Sequence, residues 1–289
     1  MYRAEMLKLR TTRATWVIGG VALAGMLLVQ GFLVALPRVL GSLESLGGTS
    51  GLPADVAPDL GALADPATAA FQRTVLDVLA TGGGGGGSTG ITAICMLLLG
   101  VLAVTTDFRT GGIVPTALVQ PSRLRILAGK AGATATVALV VGAVLAVVSA
   151  AGLLVALATT PGAGLALSAG EVLGVWGRGL AVLVLLAWFG LAVGTLVRHQ
   201  VAAIVAVTAL AILEPLVQSV VTLLSGGQSA AASWLPLGLG SLATTGQGAA
   251  ELLGGSAPFG AAVALAGLAA WVVVLAAGGA VSFRRRDLV

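Results

Sequence analysis

Charge is scarce in this sequence. Asp, Glu, Lys and Arg make up only 9% of its 289 residues, where a soluble domain carries roughly 25%. Such a chain cannot cover a water-facing surface, so its natural solvent is lipid. Cysteine is nearly absent: Cys95 stands alone in an apolar run, which excludes an intrachain disulfide and a thiolate metal site. Histidine is limited to His199, so two-histidine zinc motifs lack their parts. No metal ion or other cofactor is expected on this chain. Aromatics are few, at 4%. The isoelectric point is near 10.2, but the net charge is only +4 and the cations sit in small scattered groups. That pattern argues against nucleic acid and for membrane topology.

What the chain has is apolar length. Hydrophobic residues make up 57% of it. A helix needs about 20 apolar residues to cross about 30 Å of hydrocarbon. Six segments qualify or nearly so: 16–36, 88–106 (the shortest), 131–158, 175–197, 201–224 and 259–283. A spanning backbone must satisfy its own hydrogen bonds, so all six are expected to be helices. Small residues at Gly142 and Ala146, and at Gly190 and Gly194, suit close helix contacts. The expected fold is an all-α integral membrane protein, a single transmembrane domain over 1–289.

Placing both chain ends on one side gathers twelve of the fifteen cations there, leaving Arg38, Arg73 and Arg178 opposite. Positive charge stays inside, so both termini are expected in the cytoplasm. The first apolar run, about 21 residues, is longer than the roughly 7–15 of a cleavable signal. Residues 1–15 mix Met6, Leu7 and Leu9 with Arg3, Lys8, Arg10 and Arg13, the pattern of an interfacial helix on anionic lipid.

Two external loops follow from this topology, 37–87 and 225–258. In the first, Asp65 and Pro66 predict a helix start, with Phe71, Val75, Leu76 and Leu79 on one face. The glycine run 82–87 has P-loop-like spacing but places Ser88 where a P-loop needs lysine, so no ATPase is expected. In the second, the apolar Trp234-Leu235-Pro236-Leu237-Gly238 is read either as an interfacial or re-entrant element or as a surface loop anchored by Trp234. Serines in glycine-rich contexts, Ser229 and Ser241, lie across the bilayer from His199, so an intramembrane Ser–His pair is not expected.

The longest cytoplasmic loop is 107–130. Ile113, Val114, Ala117 and Leu118 can form one apolar face of a short helix between Gly111-Gly112 and Pro121, with a second helix starting at Ser122 and running through Lys130 into the third span. Such a helix is either a handle for a soluble partner or a basic loop that only fixes topology.

Several of these stretches are similar to a known family. Glu5-Met6-Leu7-Lys8-Leu9-Arg10-Thr11-Thr12-Arg13 resembles the leading segment of the membrane subunits of type-2 ABC transporters, especially short actinobacterial permeases. Asp107-Phe108-Arg109-Thr110-Gly111-Gly112-Ile113 resembles their acidic-aromatic-Arg-x-Gly-Thr-Ile signature, with aspartate for the usual glutamate and Gly112 for threonine. Pro121-Ser122-Arg123, Lys130, Arg198 and Leu213-Glu214-Pro215-Leu216 match further. The resemblance covers nearly the whole chain. It implies a multi-pass permease of the bacterial plasma membrane that forms an exporter's substrate pathway with a second permease subunit, a copy or a relative. Two separate ATPase subunits would dock on a coupling helix in the 107–130 loop, with Asp107, Arg109, Gly112, Ile113, Leu118, Pro121 and Arg123 as the coupling residues. The alternative function is a non-transporting membrane scaffold, immunity or sensor protein.

Glu214 stands about 20 Å along the fifth span, where an unpaired acid costs about 3 kcal/mol. Pro215 follows it and frees a carbonyl one turn earlier. Arg178, near the outer end of the antiparallel fourth span, is placed within reach of Glu214. Glu214, Pro215 and Arg178 are candidates for a substrate route or outer gate, or Glu214 is a paired acid that only fixes packing, or a protonated one.

Overall fold

The computed structural model describes residues 1–45, 65–82, 89–112, 122–160, 162–225, 231–247 and 259–285. The described residues are helical and contain no strand. In chain order the helices are α1 (Tyr2–Thr11), α2 (Arg13–Ser45), α3 (Ala69–Val75), α4 (Ile91–Thr110), α5 (Arg123–Thr159), α6 (Ala169–Val197), α7 (Gln200–Leu224), α8 (Pro236–Thr245) and α9 (Ala261–Arg285). Six of them, α2, α4, α5, α6, α7 and α9, are long and apolar enough to cross a membrane.

The spans fall where apolar length places them, and the helices overrun the expected ends. α2 continues through Pro37 to Ser45, so the first nine residues assigned to the external loop are helical. α4 runs on through Asp107 to Thr110 and ends at Gly111, whose φ of 69° closes the helix in the left-handed conformation. The intervening loop therefore starts at Gly111, not at Asp107. α5 starts after Ser122 and runs unbroken for 37 residues, about 55 Å, as one helix through Lys130 into the span.

α4 is the central post. Two-thirds of its apolar window is buried, against 17% for α9. Its closest neighbour is α6, and small residues set the separation. A Cβ on Gly100 would sit 1.9 Å from the Ala187 carbonyl oxygen, and one on Gly190 would sit 2.0 Å from that of Leu97. The two backbones touch at these points, and only glycine fits. Gly194 continues the contact against Val104, and Gly142 brings α5 onto Leu180 of α6. Met96, Leu97, Val101, Leu183 and Leu186 fill the core around the post.

Contacts define two ends of the bundle. At the terminal end, α1 meets the last turn of α4 and the first turns of α5, and the ends of α6 and α9 join there. At the far end, the segment 65–82 packs inward. Phe71, Val75 and Leu76 are buried in a cluster with Leu33, Leu153 and Val175, and Leu79 is buried in the main core. The cap of α3 is Thr68, whose hydroxyl accepts from the Phe71 N–H, while Asp65 makes a turn by accepting from the Ala67 N–H. Gln72, fully buried, ties this segment to 164–167: its amide donates to the Gly164 carbonyl at 2.9 Å and accepts from the Ala166 N–H at 2.9 Å. Burial pushes the Asp77 carboxyl above its ordinary range, opposed by hydrogen bonds from Thr81 and Leu79.

Candidate functional site

Four charged side chains from three helices meet at the terminal end. Lys130, in the second turn of α5, is 1% exposed. Its ammonium donates to Glu5 Oε2 at 3.0 Å and to the Ala103 carbonyl of α4 at 3.1 Å, and it pairs with Asp107 Oδ2. The other oxygen of Asp107 pairs with Lys8. Glu5 and Lys8 are three apart on α1, so they share a face. Asp107 and Ala103 are four apart on α4 and share one too. The set holds two cations and two acids and is neutral as a whole. Charges this buried persist only when paired and hydrogen-bonded, and all three donor positions of Lys130 are used. Burial, and then the neighbouring Lys130 charge, press the Lys8 ammonium below its ordinary value; Glu5 opposes them.

The residues beside Asp107 have separate tasks. Phe108 lies under the Arg198 guanidinium, 5.7 Å from charge to ring centre. Arg198 closes α6 in the left-handed conformation, with φ 58°, and donates to the Ser282 carbonyl of α9 at 2.9 Å. Arg109 and Thr110 are exposed, and Gly112 follows the helix end next to the Asp107 carboxylate. Among the described members of the predicted coupling set, Asp107 is the one that faces inward. Ile113, Leu118 and Pro121 lie outside the described residues, as does the side chain of Arg123, the first residue of α5.

The pairing of Glu214 with Arg178 does not occur. They serve opposite ends of α8, a helix of ten residues, every one of them buried. α8 is about 15 Å long, too short to span, and packs among α6, α7 and α9. Its N-terminus leaves backbone N–H groups without helical partners. Glu214 Oε1 accepts from the Gly238 N–H at 2.7 Å and from the Gln218 side chain at 3.0 Å. At the other end, Arg178 donates to the carbonyls of Ala243 at 2.9 Å and Thr244 at 3.3 Å. A carboxylate thus meets the positive end of α8 and a guanidinium the negative end. Gly238 makes room for the Gln218 amide beside the carboxylate, since a Cβ there would lie 2.3 Å from Gln218 Nε2. Trp271 fastens the approach to α8 by donating to the Trp234 carbonyl at 3.0 Å.

Sequence reading singled out Glu214, Arg178, Asp107 and Lys130 but missed their partners. Pro236 at the first position of α8 was the available signal for a helix start. For the four-charge cluster the signal was weaker: Glu5, Lys8, Asp107 and Lys130 all flank spans at one membrane face. Among the described residues no group of three metal-ligating side chains gathers.

No family model matches the chain, and no curated protein matches it.

Proposed function

We propose that this chain is the membrane-spanning permease subunit of an ABC exporter in the bacterial plasma membrane, with both termini and the 111–122 segment in the cytoplasm. It forms the substrate pathway with a second permease subunit and is driven by two separate ATPase subunits. One observation carries this reading. The helix entering the 111–122 segment and the helix leaving it are joined to each other, and to α1, through Lys130. A push on that segment is therefore delivered to α1, α4 and α5 together, as a coupling element requires. The likeness of Asp107–Ile113 to the permease signature points the same way. In this reading α8 is an outer plug, and Glu214 and Arg178 hold it in place as positioning residues.

The test is co-purification of the chain with an ABC-type ATPase from its own cells, followed by reconstitution of the two into phospholipid vesicles with ATP. Replacing residues 113–118 by a Gly-Ser linker should abolish ATPase binding and ATP-driven export while leaving the helix content intact. Retained binding and ATPase stimulation after that replacement would sink the reading. Leu118→Cys should react with an impermeant thiol reagent only from the cytoplasmic side.

A further inference from the structure

An apolar groove of about 550 Å³ opens between α1, α2 and α5 at the terminal end. That volume lies within the roughly 300–1,000 Å³ of small-molecule sites. Its walls are apolar side chains such as Leu23, Val140 and Val144, and its floor includes Gly19 and Gly20. Its polar lining is sparse: Arg10, Thr15 and Trp16 at the mouth, on the α1–α2 corner, and Thr136 on α5, whose hydroxyl donates to the Gly132 carbonyl at 2.9 Å. The Trp16 indole donates to the Arg10 carbonyl at 2.9 Å, which fixes the ring at the α1–α2 corner. Tyr2 closes the other side of α1 with a 2.9 Å hydrogen bond to Thr136 of α5.

The charge balance around this mouth is one-sided. Glu5 and Lys8 are engaged in the four-charge cluster. That leaves Arg3, Arg10 and Arg13 exposed, and none of them has a carboxylate partner among the described residues. We propose that the groove is a binding site for one anionic phospholipid: an acyl chain lies along Gly19, Gly20 and Val140, and the phosphate sits against Arg10. In a bilayer the acyl chain gains little from leaving one apolar medium for another. Selectivity therefore rests on the headgroup and the cations, with about 1 kcal/mol contributed per cation near the surface, which is about fivefold in affinity. A second copy of the chain is a poor occupant. An isologous contact across this face would set Arg3, Arg10 and Arg13 against themselves.

The test is native mass spectrometry of the purified full-length chain titrated with phosphatidylglycerol and phosphatidylcholine of equal chain length. One phosphatidylglycerol should be retained in preference to phosphatidylcholine, and Arg10→Ala should cut that preference about fivefold. A Cβ on Gly20 meets nothing within 4 Å, so Gly20→Leu starts in open space and projects a branched side chain into the lipid path; it should abolish retention of either lipid at unchanged helix content. Equal retention of the two lipids by the unmodified chain, or full phosphatidylglycerol retention by Gly20→Leu, overturns the proposal. So does efficient disulfide cross-linking of Gly20→Cys to a second copy in place of lipid binding.

Discussion

The two ends of the bundle hold buried charge by different means. At the terminal end, full charges on side chains neutralise one another: Lys130 and Lys8 against Glu5 and Asp107, across three helices. At the far end, single ionisable side chains meet backbone: Glu214 faces the amide end of α8, and Arg178 the carbonyl end. The first arrangement fails as a unit, because removing one member strands another in a dry site. The second fails in parts, because a helix end carries only about half a charge and can fall back on other partners.

Substitutions can break or sharpen that contrast. The largest loss is expected from Lys130→Met, which leaves Glu5 and Asp107 buried without their shared cation. Stability should fall by about 3–5 kcal/mol, read as the thermal midpoint in detergent. Adding Glu5→Gln and Asp107→Asn to that variant should recover much of the loss. If the triple variant is no better than the single one, the unit behaviour is absent. Next comes Glu214→Ala, which leaves the buried Gly238 N–H without its acceptor and should cost about 1–3 kcal/mol. Glu214→Gln keeps an acceptor and should cost only about 1 kcal/mol; equal losses from the two would show that the charge, not the hydrogen bond, matters.

Arg178→Met should loosen only the carbonyl end of α8, at about 1 kcal/mol. Hydrogen exchange should rise at 243–246 and stay slow at 238–240. Uniform acceleration along α8 would mean that its two ends are not independent. The smallest effect belongs to Lys8→Met. Lys8 pairs with the outer oxygen of Asp107 but is 39% exposed, and such pairs contribute about 0–1 kcal/mol. A loss as large as that of Lys130→Met would place Lys8 inside the unit rather than at its rim.

The spans were legible because lipid leaves the backbone no alternative over about 20 apolar residues. Their ends were not, and Asp107 shows why. An acid in the last turn opposes the helix dipole, so the sequence reads there as loop. Lys130 and Lys8, distant in sequence, supply the compensating charge and let α4 continue to Thr110. Glu214 and Arg178 were mispaired for a related reason. Depth along two neighbouring spans gave their proximity, but it could not reveal that α8 lies between them and offers each a closer partner. The α3 segment was better signalled. Its apolar residues were plain from spacing, but the helix is shorter than expected: the cap moved from Asp65 to Thr68, and Leu76 and Leu79 follow its last residue, Val75.

The backbone contact of α4 with α6 at Gly100 and Gly190 has a mechanical consequence. Interlocked side chains can swap rotamers and let two helices slip, but apposed main chains have nothing to rearrange. α4 and α6 must therefore travel as a single beam. Any shape change of the bundle has to be taken up at the periphery, by α7 and α9, whose outward faces carry Leu213, Leu216, Val273 and Val274 into the surrounding hydrocarbon.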